Sequence, residues 1–362
     1  MEPPVLSVIV PLLNDVAELP GFFASLAGQR GSSLELLICD GGSTDAGRER
    51  VLELGSTLPF PCRLLACERG RARQLNAGAR AAQAATLLFL HVDSRFADEN
   101  ALYRAELALN DAIAAAKTER IAGHFPLLFR RRTAAPSLPY SYYACKARLD
   151  RRGCTHGDQG LMLRASFFTE LGSFDETLPV LEDTRLADKI RGVGQWMLFD
   201  AEISTSARRF ETEGLYERQT LNALIMNFAA IGWNDFFIAA ADIYRCQDQT
   251  ERLRLLPVIG LIGELTARMS WRRRWSLWYR TGGYVREQAW QIALYADVRS
   301  NFRRHISFDQ YQLNWLERWD RYGDRLTDHV PGRCAAMLLT CFWFHWLYRH
   351  RLQMEKDESE TG

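Results

Sequence analysis

The chain opens on a β-branched apolar run, Leu6-Ser-Val-Ile-Val-Pro11, halted by its proline. A run of this kind bounded by a breaker predicts a buried strand ending at a loop. Residues Glu18 to Gln29 then place Leu19, Phe22, Phe23 and Leu26 at helical spacing. A second apolar run, Glu35 to Asp40, ends in Gly41-Gly42-Ser43, and a third, Thr86 to Val92, follows an Ala-rich helical stretch from Gln74 to Ala85. Strand, helix and strand in succession predict parallel neighbours, because the crossover returns the chain to the same edge. The pattern predicts an α/β fold, an open and mostly parallel sheet flanked by helices. Ligands of such sheets bind beyond the carboxyl ends of the strands, and Asn14, Asp40 and Asp93 follow those ends.

Beyond Glu211 the pattern changes. β-Branched runs thin out, and helical spacing dominates from Tyr216 to Ala230 and from Trp271 to Arg303. The expected division is a catalytic domain at 1–210 and a helical C-terminal region at 211–362. Nine of the ten tryptophans lie beyond residue 230, which makes that region aromatic as well as helical. Residues 251–354 hold 17 arginines and no lysine against 9 acidic residues, with Trp271, Trp275, Trp278 and Trp290 interleaved. The expected role of these tryptophans is as core residues that pack helices against the catalytic domain; arginine and tryptophan together also suit a lipid headgroup boundary. The run Cys334 to Tyr348 is apolar on every side but falls short of the ~18 to 20 residues that span a bilayer. Three placements remain open for it: a protein core, a homodimer interface or a peripheral membrane contact at the inner face. The polar end, Glu355 to Gly362, is expected to fray.

Composition narrows the classes. A formal net charge of +1 argues against a polyanion binder, so nucleic acid is not an expected partner. The eight cysteines show no Cys-x-x-Cys pair and no zinc spacing, which suits free thiols in a reducing compartment. Met-Glu-Pro-Pro leads directly into a strand, without the basic and apolar segments of a signal peptide, and the expected location is the cytoplasm.

Several segments hold side chains suited to chemistry. Asp40-Gly-Gly-Ser-Thr-Asp45 puts a carboxylate at a strand end, two permissive glycines after it, and Ser43 as a candidate helix cap. His91-Val-Asp93 ends the third strand, where a carboxylate suits a hard divalent cation bridging diphosphate oxygens. Gly70-Arg-Ala-Arg-Gln-Leu-Asn-Ala-Gly78 offers Arg71 and Arg73 to phosphates, with Gly78 allowing close helix packing. Glu182 and Asp183 open an amphipathic helix whose apolar positions include Leu186 and Ile190. The helix dipole lowers the pKa of a carboxylate there and burial raises it, so either ionised partner or general base fits.

In this order the segments resemble family 2 glycosyltransferases of the GT-A fold: Ser7 to Asn14, Asp40 to Asp45, Gly70 to Gly78, His91-Val-Asp93, Gly157-Asp-Gln-Gly160 and Glu182-Asp183. Within the family the chain is most similar to the bacterial selenodomain-associated transferases, which share a Leu-His-x-Asp strand end and a stretch like Ser206 to Glu211. The resemblance spans roughly residues 5–245. It implies a nucleotide pocket drawn from Pro11, Asn14, Asp40, Ser43, Arg71, Arg73 and Asn76, with Asp40 on the base. It implies Mg2+ or Mn2+ at Asp93, with His91 replacing the first carboxylate of the family's Asp-x-Asp motif. Asp183 corresponds to the acceptor-side base, with Glu182 beside it and Asp158 lining the acceptor side. The implied donor is a nucleotide-diphosphate sugar, a UDP-sugar first among them, and the implied reaction is inverting transfer to an acceptor the sequence does not specify.

Two other functions compete. A nucleotidyltransferase would place a Gly-rich basic loop soon after the first strand, where this chain has Leu12-Leu-Asn-Asp-Val-Ala-Glu18. A catalytically silent sugar-nucleotide binder or scaffold would account for His91 and for the long helical extension.

Overall fold

A computed structural model of the chain describes residues 3–177, 180–246 and 252–361. The chain divides into two units, Met1–Arg130 with Tyr143–Ser206, and Arg131–Tyr142 with Ala207–Gly362.

In the first unit the strands are β1 (Leu6–Leu12), β2 (Leu34–Asp40), β3 (Cys62–Ala66), β4 (Thr86–Phe89), β5 (Arg95–Phe96), β6 (Ile121–His124), β7 (Leu127–Arg130), β8 (Leu161–Arg164), β9 (Gln195–Leu198) and β10 (Ile203–Ser206). Seven of them form one sheet in the order β3-β2-β1-β4-β8-β6-β9, and β5-β10-β7 form a second. β1 to β4 are mutually parallel, β8 runs antiparallel to β4 and β6, and β9 is parallel to β6. The mostly parallel α/β sheet expected from the pattern is present. Its third strand is shorter than the apolar run suggests, because after the Leu90 N–H has donated to the Ile9 carbonyl the chain leaves the ladder for a turn in which the His91 N–H donates to Ser94 Oγ.

The helices associated with this unit are α1 (Leu19–Ala27), α2 (Gly47–Gly55), α3 (Arg71–Ala81), α4 (Ala101–Ala116), α5 (Leu138–Lys146), α6 (Ala165–Glu170) and α7 (Glu182–Val193), and the unit boundary passes through α5. Alternation along β1 explains how both faces of the sheet are covered. Leu6, Val8 and Val10 pack with Phe22 and Leu26 of α1 and with Leu102 and Leu109 of α4. Ile9 points the other way, packing with Leu75 of α3, Phe167 of α6, and Leu186 and Ile190 of α7. A strand buried on both faces reads as a continuous apolar run, as β1 and β2 do.

The second unit holds α8 (Arg208–Glu213), α9 (Leu215–Ala230), α10 (Asn234–Cys246), α11 (Leu256–Ala267), α12 (Trp271–Glu287), α13 (Trp290–Arg303), α14 (Asn314–Thr327) and α15 (Val330–Thr361). The helical run from Trp271 to Arg303 is thus two helices. The segment expected to fray instead continues α15 as far as Thr361. Of the four tryptophans expected in a core, Trp290 is buried and Trp278 half-buried, whereas Trp271 and Trp275 are exposed; Trp233 is also buried. The apolar run within α15 buries Met337, Phe344 and Leu347 and exposes Leu338, Leu339, Phe342 and Trp346. Among the described residues, no helix is long and apolar enough to cross a membrane. Seven cysteines are free thiols; the side chain of Cys246 lies outside those described.

Candidate active site

The carboxyl ends of β2 and β1 are tied into one rim. Asp40, fully buried at the end of β2, accepts from the Ser43 N–H through Oδ1 (3.0 Å) and from the Gly42 N–H through Oδ2 (3.3 Å). Arg48 Nε lies 3.7 Å from the same Oδ2. Asn14, in the left-handed region at φ 51°, accepts from the Thr44 N–H (2.7 Å), and its own N–H donates to Ser43 Oγ (3.1 Å). Asp45 completes the link, accepting from the Val16 N–H at 2.8 Å. Below the rim, Gln74 of α3 donates its buried amide to the carbonyls of Leu12 (2.8 Å) and Cys39 (2.7 Å). Pro11 sits one residue before the end of β1, paired with Cys39.

A second set of groups gathers beyond β4. Asp183 at the start of α7 accepts from the Gly157 N–H through Oδ2 and from the Thr184 N–H through Oδ1, each at 2.6 Å. Burial opposes its ionisation, but the charges of His156 and Arg71 and these two amides outweigh it and hold the carboxyl below the ordinary carboxylate range. Glu182 is buried, which raises its pKa; Arg71, reaching its Oε1 at 3.4 Å, works against that rise. Thr184 Oγ1 lies 3.4 Å from His156 Nδ1.

His91 sits on the other side of Gly157. A Cβ added at that glycine would stand 3.0 Å from His91 Nε2 and 3.1 Å from Asp183 Oδ2, so a backbone without a side chain separates imidazole from carboxylate. Burial first, and then Arg71, lower the His91 pKa to about 4 against the pull of Asp93 and Asp183, leaving a neutral ring at pH 7. Asp93 accepts through Oδ2 from Thr205 Oγ1 (2.8 Å) and from the Ser206 N–H (3.1 Å), both on β10. Asp158 is pushed up to about 7 by burial and by the charges of Asp183 and Asp93, and its buried Oδ1 has no hydrogen-bond partner. Arg71, His91, His156 and Asp183 line a pocket whose floor is apolar, with Leu75, Phe89 and Trp196 among its walls.

These placements sort the candidates. Asn14, Asp40 and Ser43 share the β1–β2 rim; Arg71, His91, Asp93, Asp158, Glu182 and Asp183 share the region beyond β4, the strand paired with β1. All lie at the carboxyl edge of the parallel strands. Ser43 does not cap α2, because that helix starts at Gly47 behind Ala46 and the serine is held in the Asp40 turn. Arg73 turns to Glu68 (3.3 Å) in a largely exposed pair. Asn76 is buried away from the rim, its amide donating to the Phe174 carbonyl and to Glu176 Oε1, both at 2.9 Å. The sequence reading omitted two contributors. His156 stands one residue ahead of the Gly157-Asp-Gln-Gly160 motif, and only the fold brings it to α7. Gln74 lies inside the Gly70–Gly78 motif, but nothing in the pattern marks a glutamine that bridges two strand ends.

Residues 7–169 match glycosyl transferase family 2. An "Uncharacterized glycosyltransferase" of Haemophilus influenzae is 37% identical over 97 residues, covering 26% of this chain and 31% of that protein; the chain therefore spans under a third of that relative's length. Among solved structures, S. aureus TarS 1-349 in complex with UDP is similar at 14% identity and TM-score 0.46, covering 87% of this chain and 91% of that one. The mannosyltransferase PcManGT of Pyrobaculum calidifontis, in complex with GDP-Man and Mn2+, is similar at 16% identity and TM-score 0.48, covering 96% and 88%. The family 2 match covers residues 7–169 and takes in the motifs from Ser7 to Gly160, which stand on the mostly parallel α/β sheet of the first unit.

Proposed function

We propose that residues 1–210 transfer a sugar from a nucleotide-diphosphate donor, a UDP-sugar first among them, to an acceptor hydroxyl with inversion at the anomeric carbon. The observation that carries this reading is the Asp183 carboxylate, fixed by two amides at a helix N-terminus beside a neutral His91 and two further carboxylates. The β1–β2 rim supplies the nucleotide end, with Asp40 accepting from the base and Asn14 and Ser43 shaping the loop around it. Arg71, anchored by Glu182, presents its guanidinium to phosphate. The free thiols agree with a cytoplasmic setting.

Asp183 takes the acceptor proton. Held below the ordinary carboxylate range, it is ionised throughout the neutral region but is a weak base. The proton therefore moves as the hydroxyl oxygen bonds to the anomeric carbon and becomes acidic, while the bond from that carbon to the diphosphate oxygen breaks on the opposite face. His156, through Thr184, steadies the carboxylate it neighbours.

The donor set fits a divalent cation. The unpartnered buried oxygen of Asp158 and the mutual repulsion among Asp93, Asp158 and Asp183 are what a cation would relieve. Among the described residues no group of three or more His, Cys, Asp or Glu side chains could hold a metal ion. Mg2+ or Mn2+ would therefore depend on one or two carboxylates here, with the donor's diphosphate and water supplying the other ligands. Asp93 would be the principal ligand and His91 its neighbour, and the bound metal would neutralise charge on the departing diphosphate.

Thermal denaturation against a panel of nucleotide sugars, with and without Mn2+ or Mg2+, tests the reading. A cognate donor at about 100 times its Kd adds ~2.7 kcal/mol to stability, and this shift should require the metal and be joined by slow hydrolysis of the donor. A panel without any metal-dependent shift contradicts it.

A further inference from the structure

Exposed tryptophan is concentrated in the second unit, where Trp271, Trp275 and Trp346 are 73%, 56% and 50% exposed. The helices that bear them, α12 and α15, run antiparallel: a side chain at Gly282 would meet Met337, and the Trp278 and Phe344 rings lie 5.4 Å apart. One turn further along each helix, Trp275 and the stretch from Trp346 to Arg349 stand at the same end of the pair. Among the side chains described, the same end is cationic. Arg272 and Arg273 are exposed between the α12 tryptophans, Arg349 is exposed on α15, and α12 holds no acidic residue before Glu287. The Arg272 guanidinium sits over the Trp271 ring at 5.3 Å, so charge and ring are offered together.

We propose that this end of the α12–α15 pair binds the surface of a bilayer containing anionic phospholipid, with the indole rings at headgroup depth and the guanidiniums on lipid phosphate. Indole suits that depth because its body is apolar and its N–H needs a polar partner. Charge favours lipid over a second copy of the chain. An isologous contact sets a patch against itself, which would oppose arginines with the same arginines, whereas an anionic surface neutralises them. The contact is superficial, since among the described residues no helix can cross. The inference stands apart from the transferase reading, because vesicle binding is measured without turnover.

Flotation of the full chain with phosphatidylcholine vesicles, with and without phosphatidylglycerol, is the test. The protein should float with phosphatidylglycerol vesicles at low salt and stay at the bottom with phosphatidylcholine alone. Replacing both exposed arginines (R272Q/R273Q) should weaken binding about 30-fold, taking ~1 kcal/mol for each. W271A/W275A should abolish flotation while far-UV circular dichroism melting stays that of the parent. If the parent fails to float with anionic vesicles, or if R272Q/R273Q floats as the parent does, the proposal is wrong. Light scattering that shows a dimer dissociated by W271A/W275A assigns the surface to self-association and equally overturns it.

Discussion

A methyl group at position 78 would overlap Ile9 Cγ2 and lie 2.8 Å from Cys39 Sγ, so α3 meets the sheet at a distance only glycine allows. That contact sets where Arg71 and Gln74 stand relative to the ends of β1 and β2. Gly78→Ala should destabilise the protein by ~1–3 kcal/mol through overpacking, read as a lower midpoint in urea denaturation; an unchanged midpoint would show that α3 moves freely on the sheet. Gly78 was legible because small residues in a basic helix signal close packing. Asn76 was not, because an asparagine that holds a neighbouring loop through Phe174 and Glu176 looks the same in sequence as one that meets a ligand. Ser43 was misread for a related reason: a serine before a helix invites a cap, and here the Asp40 carboxylate captures its N–H first.

At the scale of elements, β1 and β2 were readable because burial on both faces makes their sequences continuously apolar. β8, four residues between Gly160 and α6, offers too short a run to show a period, and half-buried β3 gives no uniform pattern. β6 carries a consequence of its burial. His124 at its end is 2% exposed and stands edge-on to Trp196, with ring centroids 5.4 Å apart. Burial lowers its pKa from 6.5 to about 4. Between those values the unfolded chain binds a proton that the folded ring refuses, so stability falls as pH falls through the window and levels off below about 4. Asp158, pushed up to about 7, acts with the opposite sign, since its folded carboxyl retains a proton the unfolded one has lost. The difference between parent and His124→Gln isolates the histidine. The variant should lose up to about 3 kcal/mol less than the parent between pH 6.5 and 4, measured by urea denaturation at several pH values; parallel pH profiles would refute the assignment.

For the molecule as a whole, the change of pattern near residue 210 separated strand-bearing from helical sequence. Arg131–Tyr142, which clusters with the helical unit, could not be assigned that way, because membership of a unit is a property of long-range contacts and not of local period. The candidate site divides similarly. The rim proposed for the nucleotide comes from segments near residues 14, 40 and 74, each carried on or next to a recognisable strand or helix. The end proposed for the reaction joins residues 91, 93, 156 to 158 and 183, whose proximity depends on β8 lying between β4 and β6. In the proposed function Asp183 at this junction is the base. Asp183→Asn keeps the shape and still accepts the Gly157 amide, but it cannot take the acceptor proton. Turnover of a cognate nucleotide sugar, measured beside nucleotide binding to the same variant, tests this directly. Nucleotide affinity should be unchanged and transfer reduced on the order of 100- to 10,000-fold; transfer within a few fold of the parent would contradict the role of Asp183.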